Sequence, residues 1–170
     1  MSQPLPALLV VDAEDTNRNL LARLFESKGF QVHTASSGTE ALEHVRASRT
    51  DLVLLDMNMP GLTGFDVLKE LRLTHTPGAL PIVMVTGFGE SHDLVAALEL
   101  GANDYVTKPI DFPVVLARIK TQLARQQAER ALKESEERYA LAVKGANDGI
   151  WDWRFDINDG YFSPRWRSVL

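Results

Sequence analysis

The stretch Asp51 to Gly64, DLVLLDMNMPGLTG, narrows the choice of fold more than any other part of the chain. Leu52, Val53, Leu54 and Leu55 follow one another with no polar alternation, which fits a central parallel strand covered by helices on both faces. The run ends in Asp56, and a loop built on Asn58, Pro60 and Gly61 follows. In open α/β sheets ligands bind at the C-terminal edge of the strands, so a carboxylate held there is a candidate reactive group. An Asp in this place could equally just start a turn, so the rest of the chain has to decide.

A second apolar run, Leu8 to Val11, also ends in an acid, Asp12. Thr16 or Asn17 is positioned to cap a helix carrying Leu20, Leu21, Leu24 and Phe25, with Gly29 as its stop. Gln31 to Ala35 is a short strand, and Gly38 opens a helix with Ala41, Leu42 and Val45. After the Asp56 loop, Phe65, Val67, Leu68 and Leu71 mark a third helix, closed near Pro77 and Gly78. Ile82 to Val85 is a strand ending in Thr86, and a helix from about Ser91 to Leu100 stops at Gly101. The strand Asp104 to Thr107 runs into Lys108 and Pro109, and a long helix follows from about Asp111. Five strand-helix alternations with connections too long for hairpins predict a flavodoxin-like α/β fold: a doubly wound five-stranded parallel sheet with an extended C-terminal helix. Right-handed crossovers favour the order 2-1-3-4-5, which makes the first and third strands neighbours. Asp12 and Asp56 then share one edge.

Two carboxylates a few Å apart repel, so such a site either raises a pKa or binds a cation. Oxygen ligands favour a hard ion such as Mg2+. Lys108 and Thr86, at neighbouring strand ends, add an ammonium and a hydroxyl. The set suits an incoming phosphoryl group: an aspartyl nucleophile, charge neutralisation and donors to the phosphoryl oxygens.

VVDAEDTNR, LVLLDMNMPGLTG, VMVTG and ANDYVTKP, at their joint spacing, resemble the receiver domain of two-component response regulators over about residues 5 to 124. The resemblance implies that Asp56 is the phosphoacceptor, that the Asn58 main-chain carbonyl and Asp12 belong to the Mg2+ pocket, and that Thr86 is the switch hydroxyl. It also implies that Lys108 contacts the acyl phosphate, that Tyr105 is an aromatic that swings inward, and that the Lys108–Pro109 bond is cis. The implied donor is a sensor histidine kinase or phosphotransfer protein, and the only catalysis implied is the chain's own phosphoryl transfer and dephosphorylation. One position departs from the family: the second of two usual adjacent acids is here Ala13, whose methyl cannot coordinate Mg2+. Weaker metal binding follows, with Glu14, Asp15 or water as possible substitutes. A degenerate receiver acting as a phosphorylation-independent dimerisation or docking module is the alternative. A flavodoxin-like cofactor enzyme would need a cofactor loop, and Gly87, Phe88 and Gly89 lack the context of one. Taken singly, Thr86 could cap a turn, Lys108 could be a solvated loop residue and Tyr105 a static core aromatic. His33, His44, His75 and His92 show no metal-ligand spacing and are assigned to the surface.

At 170 residues the chain has room for one domain of usual size and a remainder. Without cysteine there is no disulfide, thiol nucleophile or Cys-based metal site, which suits a reducing cytoplasm. A formal charge of -5 argues against direct nucleic acid contact, and Ala7 to Val11 falls short of the roughly 20 residues that cross a membrane. A cytoplasmic protein is expected. The organisation is then a receiver over residues 1–124, a linker or coiled-coil helix over 125–144, and an incomplete segment over 145–170. Ala128, Leu132, Ser135, Tyr139 and Ala142 recur at four and three, as in a two-helix coiled coil, though a single solvated helix fits as well. A homodimer is expected through this helix or through the face of the fourth helix, fifth strand and fifth helix. ESEERYALAVKGANDGIWDW resembles the entry into a PAS sensory domain. Trp151, Trp153 and Phe155 alternate in a strand, Asn158 to Gly160 turn it, and Tyr161 and Phe162 return. About 30 residues are too few for that fold, so the chain is read as a fragment stopping mid-motif at Trp166 to Leu170.

Overall fold

The computed structural model describes residues 4–87, 91–145, 151–154 and 159–162. Strands β1 (Ala7–Val11), β2 (Gln31–Ala35), β3 (Leu52–Asp56), β4 (Ile82–Thr86) and β5 (Asp104–Thr107) form a parallel sheet in the order β2-β1-β3-β4-β5. Helices α1 (Asp15–Ser27), α2 (Gly38–Ala47), α3 (Gly64–Arg72), α4 (Ser91–Glu99) and α5 (Phe112–Gly145) alternate with the strands. This is the predicted doubly wound fold.

The unbroken apolar runs are explained by two cores, one on each face. Leu9, Val11, Val53, Leu55, Ile82 and Met84 pack with Ala41 of α2, Val67, Leu68 and Leu71 of α3 and Ala97 of α4. The intervening Leu8, Val10, Leu52, Leu54, Val83 and Val85 pack with Leu21 and Phe25 of α1 and Val115, Ile119 and Leu123 of α5. Each buried Val, Leu, Ile, Met or Phe side chain here contributes about 1.5–3 kcal/mol by leaving water. The central strands are therefore rigid supports for whatever stands at their ends.

Two helix boundaries differ from expectation. Helix α1 begins at Asp15 with Glu14 as an extended N-cap, ahead of Thr16 and Asn17. The Glu14 amide donates to Asp12 Oδ1 at 2.8 Å and the Arg18 amide donates to the Glu14 carbonyl at 3.0 Å, so Asp12 itself starts the turn. Helix α3 ends at Arg72, well before Pro77. The amides of Thr74 and His75 both turn back to the Leu71 carbonyl, and the Arg72 guanidinium takes the carbonyls of His75, Leu80 and Gly101. Those acceptors close the helix before the proline can. Burial pushes the Arg72 pKa down to about 10.

The chain divides into two compact units, residues 1–127 and 128–170. In the first, the buried Gln126 of α5 donates from Nε2 to the carbonyls of Asp51 at 3.1 Å and Ala79 at 2.8 Å, fixing the helix to the N-terminal edge of the sheet. In the second, Leu132, Tyr139 and Leu141 on α5 are exposed, and Lys133 and Glu137 stand 4.0 Å apart one turn from each other. Strands β6 (Trp151–Arg154) and β7 (Asp159–Phe162) pair antiparallel, Trp151 opposite Phe162. Asp159 and Gly160, expected in the turn, instead lie in β7 opposite Arg154 and Trp153. Phe88, Gly89, Phe155, Asn158, residues 166–170 and the His92 side chain lie outside what is described.

His33 and His44 are not simple surface residues. Both are partly buried, their rings tilted against each other with centroids 4.7 Å apart, because helical spacing on α2 turns His44 inward onto β2. Burial lowers the His44 pKa, the neighbouring His33 lowers it further, and Glu40 opposes both. The folded state thus prefers neutral His44 while the unfolded chain protonates near its ordinary value of 6.5. Stability supplied by this group is complete above about pH 6.5 and is lost as pH falls below it. Urea midpoints measured across that window should drop in the unaltered protein and drop less in His44→Gln; equal slopes would refute the assignment.

Candidate functional site

The site is assembled by strand register. Val11 pairs with Leu55, so Asp12, the next residue, stands beside Asp56 at the end of β3. Both side chains are almost wholly buried, at 4% and 3% exposure. Lys108 follows β5, its amide donating to the Thr86 carbonyl at 2.8 Å and its peptide bond to Pro109 being cis, as expected. Its Nζ lies 2.7 Å from Asp56 Oδ2 and 3.9 Å from Asp12 Oδ2. The other oxygen of each acid is held by the loop after it: Glu14 N–H donates to Asp12 Oδ1 at 2.8 Å, and Asn58 N–H donates to Asp56 Oδ1 at 3.1 Å. One oxygen of each carboxylate therefore faces the ammonium.

Burial alone would lower the Lys108 pKa, but the hydrogen bond and charge of Asp56, with Asp12 and Glu14 adding theirs, raise it overall. The lysine stays a cation. The loop after Asp56 folds tightly back upon it: a Cβ at Gly64 would lie 2.2 Å from the Asp56 carbonyl oxygen, and Gly64 N–H donates to the Met57 carbonyl at 3.0 Å. Only glycine fits there, and at Gly61 a φ of +79° also favours it.

Of the six residues singled out from sequence, Asp12, Asp56 and Lys108 are brought into direct contact range. Asn58 is exposed and joins through its amide. Thr86 is buried at the end of β4, one position beyond the Asp56–Val85 pair. Tyr105 stands apart, partly buried opposite Met84, with the Arg118 guanidinium 5.7 Å above its ring; Arg118 also pairs with Asp104 at 2.7 Å. Ala13 turns its methyl to the core on the α2–α3 side. Of the substitutes considered for it, Asp15 is 80% exposed and paired with Arg18, while Glu14 accepts from Asn17 Nδ2 at 2.9 Å.

No group of three or more His, Cys, Asp or Glu side chains among the described residues could hold a metal ion. Mg2+ needs no such group, since it keeps several waters and takes one or two carboxylates. The all-oxygen set of Asp12, Asp56 and the Asn58 carbonyl fits it by chemistry. Sequence reasoning passed over Arg18 and Gly64. Arg18 had a visible signal, Asp15 three residues before it on a helix, and Gly64 had none beyond its place after the loop.

A family model described as the response regulator receiver domain matches residues 8–120. The chain is 39% identical over 120 residues to the regulatory protein VanRc of Enterococcus gallinarum, covering 71% of this chain and 51% of that protein. It is 42% identical over 120 residues to the alkaline phosphatase synthesis transcriptional regulatory protein PhoP of Bacillus subtilis, covering 71% and 49%. It thus spans about half the length of these relatives. Among solved structures, a CheY-like receiver domain protein of Methanospirillum hungatei aligns with a TM-score of 0.68 at 28% identity, covering 74% of this chain and 98% of that one.

Two buried carboxylates sharing one ammonium leave an uncompensated negative charge at the sheet edge. Asp12→Asn, which can still accept from the Glu14 amide and leaves Lys108 its 2.7 Å pair with Asp56, should therefore raise stability in metal-free buffer by relieving the repulsion between the acids and the cost of burying the second charge. Thermal melts with and without Mg2+ check this, and a lower midpoint in the variant without metal would contradict it.

Proposed function

Since the chain belongs to the response regulator receiver domain family, we propose that Asp56 accepts a phosphoryl group from a sensor histidine kinase or phosphotransfer protein. The observation that carries this reading is the convergence of Asp12, Asp56 and the Lys108 ammonium at one sheet edge. A carboxylate oxygen of Asp56 attacks phosphorus, a P–O bond forms as the donor's P–N bond breaks, and the imidazole leaves with the electron pair of that bond. Lys108 is close enough to follow the charge from carboxylate to phosphoryl oxygens. Asp12, Asp56 and the Asn58 carbonyl would hold Mg2+, which supplies further charge neutralisation when bound.

The acyl phosphate offers Thr86 and Lys108 contacts that exist only in the phosphorylated state, and so shifts a population of conformers. Tyr105 is the aromatic that follows Thr86. The shift would be felt on the face of α4, β5 and α5, where Val95, Leu98 and Val114 are exposed, and would pass along α5 to a PAS-containing output. Homodimerisation through that face or through the C-terminal half of α5 belongs to the same reading, as does a cytoplasmic location. Among the described residues no helix is long and apolar enough to cross a membrane. Relatives named as transcriptional regulators match over about half their length, and the charge of -5 argues that this chain does not itself hold DNA. The second reading, a docking module that works without phosphorylation, is favoured by one observation, the missing acid at Ala13.

Incubation with a small-molecule phosphodonor, with and without Mg2+, followed by intact mass measurement, separates the two. A Mg2+-dependent single phosphoryl adduct is expected, absent in Asp56→Asn, and Ala13→Asp should reach it at lower Mg2+. No adduct at any Mg2+ concentration would favour the docking module.

A further inference from the structure

We propose that Arg18 is a positioning residue for the acidic pocket, fixing the Asp12 carboxylate through the Asp12 main chain. The inference rests on the functional reading above. From α1 the guanidinium turns back over the β1–α1 loop, and Nη1 donates to the Asp12 carbonyl oxygen at 2.7 Å. Nη2 pairs with Asp15, but the two partners differ in setting: the Arg18 side chain is 13% exposed and that of Asp15 80%. The sheltered contact is the one with Asp12.

Asp12 is thereby held on both sides of its Cα. Its own amide donates to the Ala35 carbonyl at 3.2 Å, which ties it to β2, and its carbonyl is taken by Arg18. The same peptide leads through Ala13 to the Glu14 amide, the group that holds Asp12 Oδ1. If the carbonyl is released, the peptide can rotate, the Glu14 amide shifts with it, and the carboxylate loses its aim toward Lys108. Ala13 brings no oxygen to the pocket, so the direction of the Asp12 carboxylate decides more here than it would beside a second acid. The charge of Arg18 also reaches Glu40 at the start of α2 and helps to lower its pKa, behind the larger effect of the Ser36 hydrogen bonds. A role limited to the ion pair with Asp15 would be worth little to stability and nothing to metal affinity.

The test uses the whole chain. Mg2+ affinity is measured by titration calorimetry, and the Mg2+ concentration giving half-maximal adduct from a small phosphodonor by intact mass, at a temperature where circular dichroism shows each variant folded. Arg18→Met should weaken Mg2+ binding about tenfold, the size usual for residues that orient a ligand without touching the metal. Arg18→Lys, with one point donor in place of a fork, should fall between, and Asp15→Asn should match the unaltered protein. Equal affinity in the unaltered protein and in folded Arg18→Met overturns the proposal. Should Arg18→Met not fold, unchanged affinity in Arg18→Lys overturns it. An unaltered protein that neither binds Mg2+ nor forms an adduct overturns the functional reading and this inference together, whereas an adduct with Arg18-independent Mg2+ affinity overturns this inference alone.

Discussion

Lys108 places a single ammonium 2.7 Å from Asp56 and 3.9 Å from Asp12, two carboxylates that water scarcely reaches. Taken out of water, each acid would be strongly penalised if it stood alone, and together they would repel. The shared cation makes the pair tolerable, and the loop amides of Glu14 and Asn58 fix the oxygens it does not take. The lysine is itself kept cationic by the acids it neutralises. A change to any one of the three side chains therefore alters the charge balance around the other two.

Such an arrangement requires a support that does not yield. Its members come from three separated stretches of chain, and the registers of β1 with β3, β3 with β4 and β4 with β5 together bring their ends to one place. That register is fixed because the strands are buried on both faces, so a slip would break two cores at once. The polar contacts at the opposite edge act in the same sense: Gln126 joins α5 to the start of β3, and Arg72 joins the end of α3 to the turn before β5. The reactive edge is left to short loops, of which the one after Asp56 is closed by a glycine that admits no Cβ.

Most of this was visible in the sequence because it depends on patterns with a physical period. Unbroken apolar runs identified the covered strands, acids at their ends identified the edge, and apolar residues at helical spacing identified the faces that pack on it. What stayed hidden depends on partners far along the chain. The start of α1 is set by a carboxylate at the sheet edge, so the capping rule applied to Thr16 and Asn17 fell two or three residues too late. Arg72 ends α3 by reaching carbonyls up to 29 residues away, and no local signal announces that. His33 and His44 meet only because β2 and α2 pack together, which spacing along the chain does not reveal. The roles proposed for Thr86 and Tyr105 come from the family resemblance and from no local pattern of their own.

Ala13 then changes the electrostatic balance rather than the fold. With Asp12 and Asp56 against Lys108 the pocket carries one net negative charge, where a second acid at position 13 would make it two. The resting state is less strained by self-repulsion, and the pull on a divalent cation is weaker, since both follow from the same charge. Under the proposed function, phosphorylation replaces the single charge of the Asp56 carboxylate with about two on the acyl phosphate, so the edge gains about one negative charge. A pocket with fewer acids therefore draws a metal less strongly both before such a transfer and after it. In the proposed function the direction of Asp12, the remaining acidic neighbour of Asp56, held by the loop between β1 and α1, would decide how readily the phosphorylated state forms.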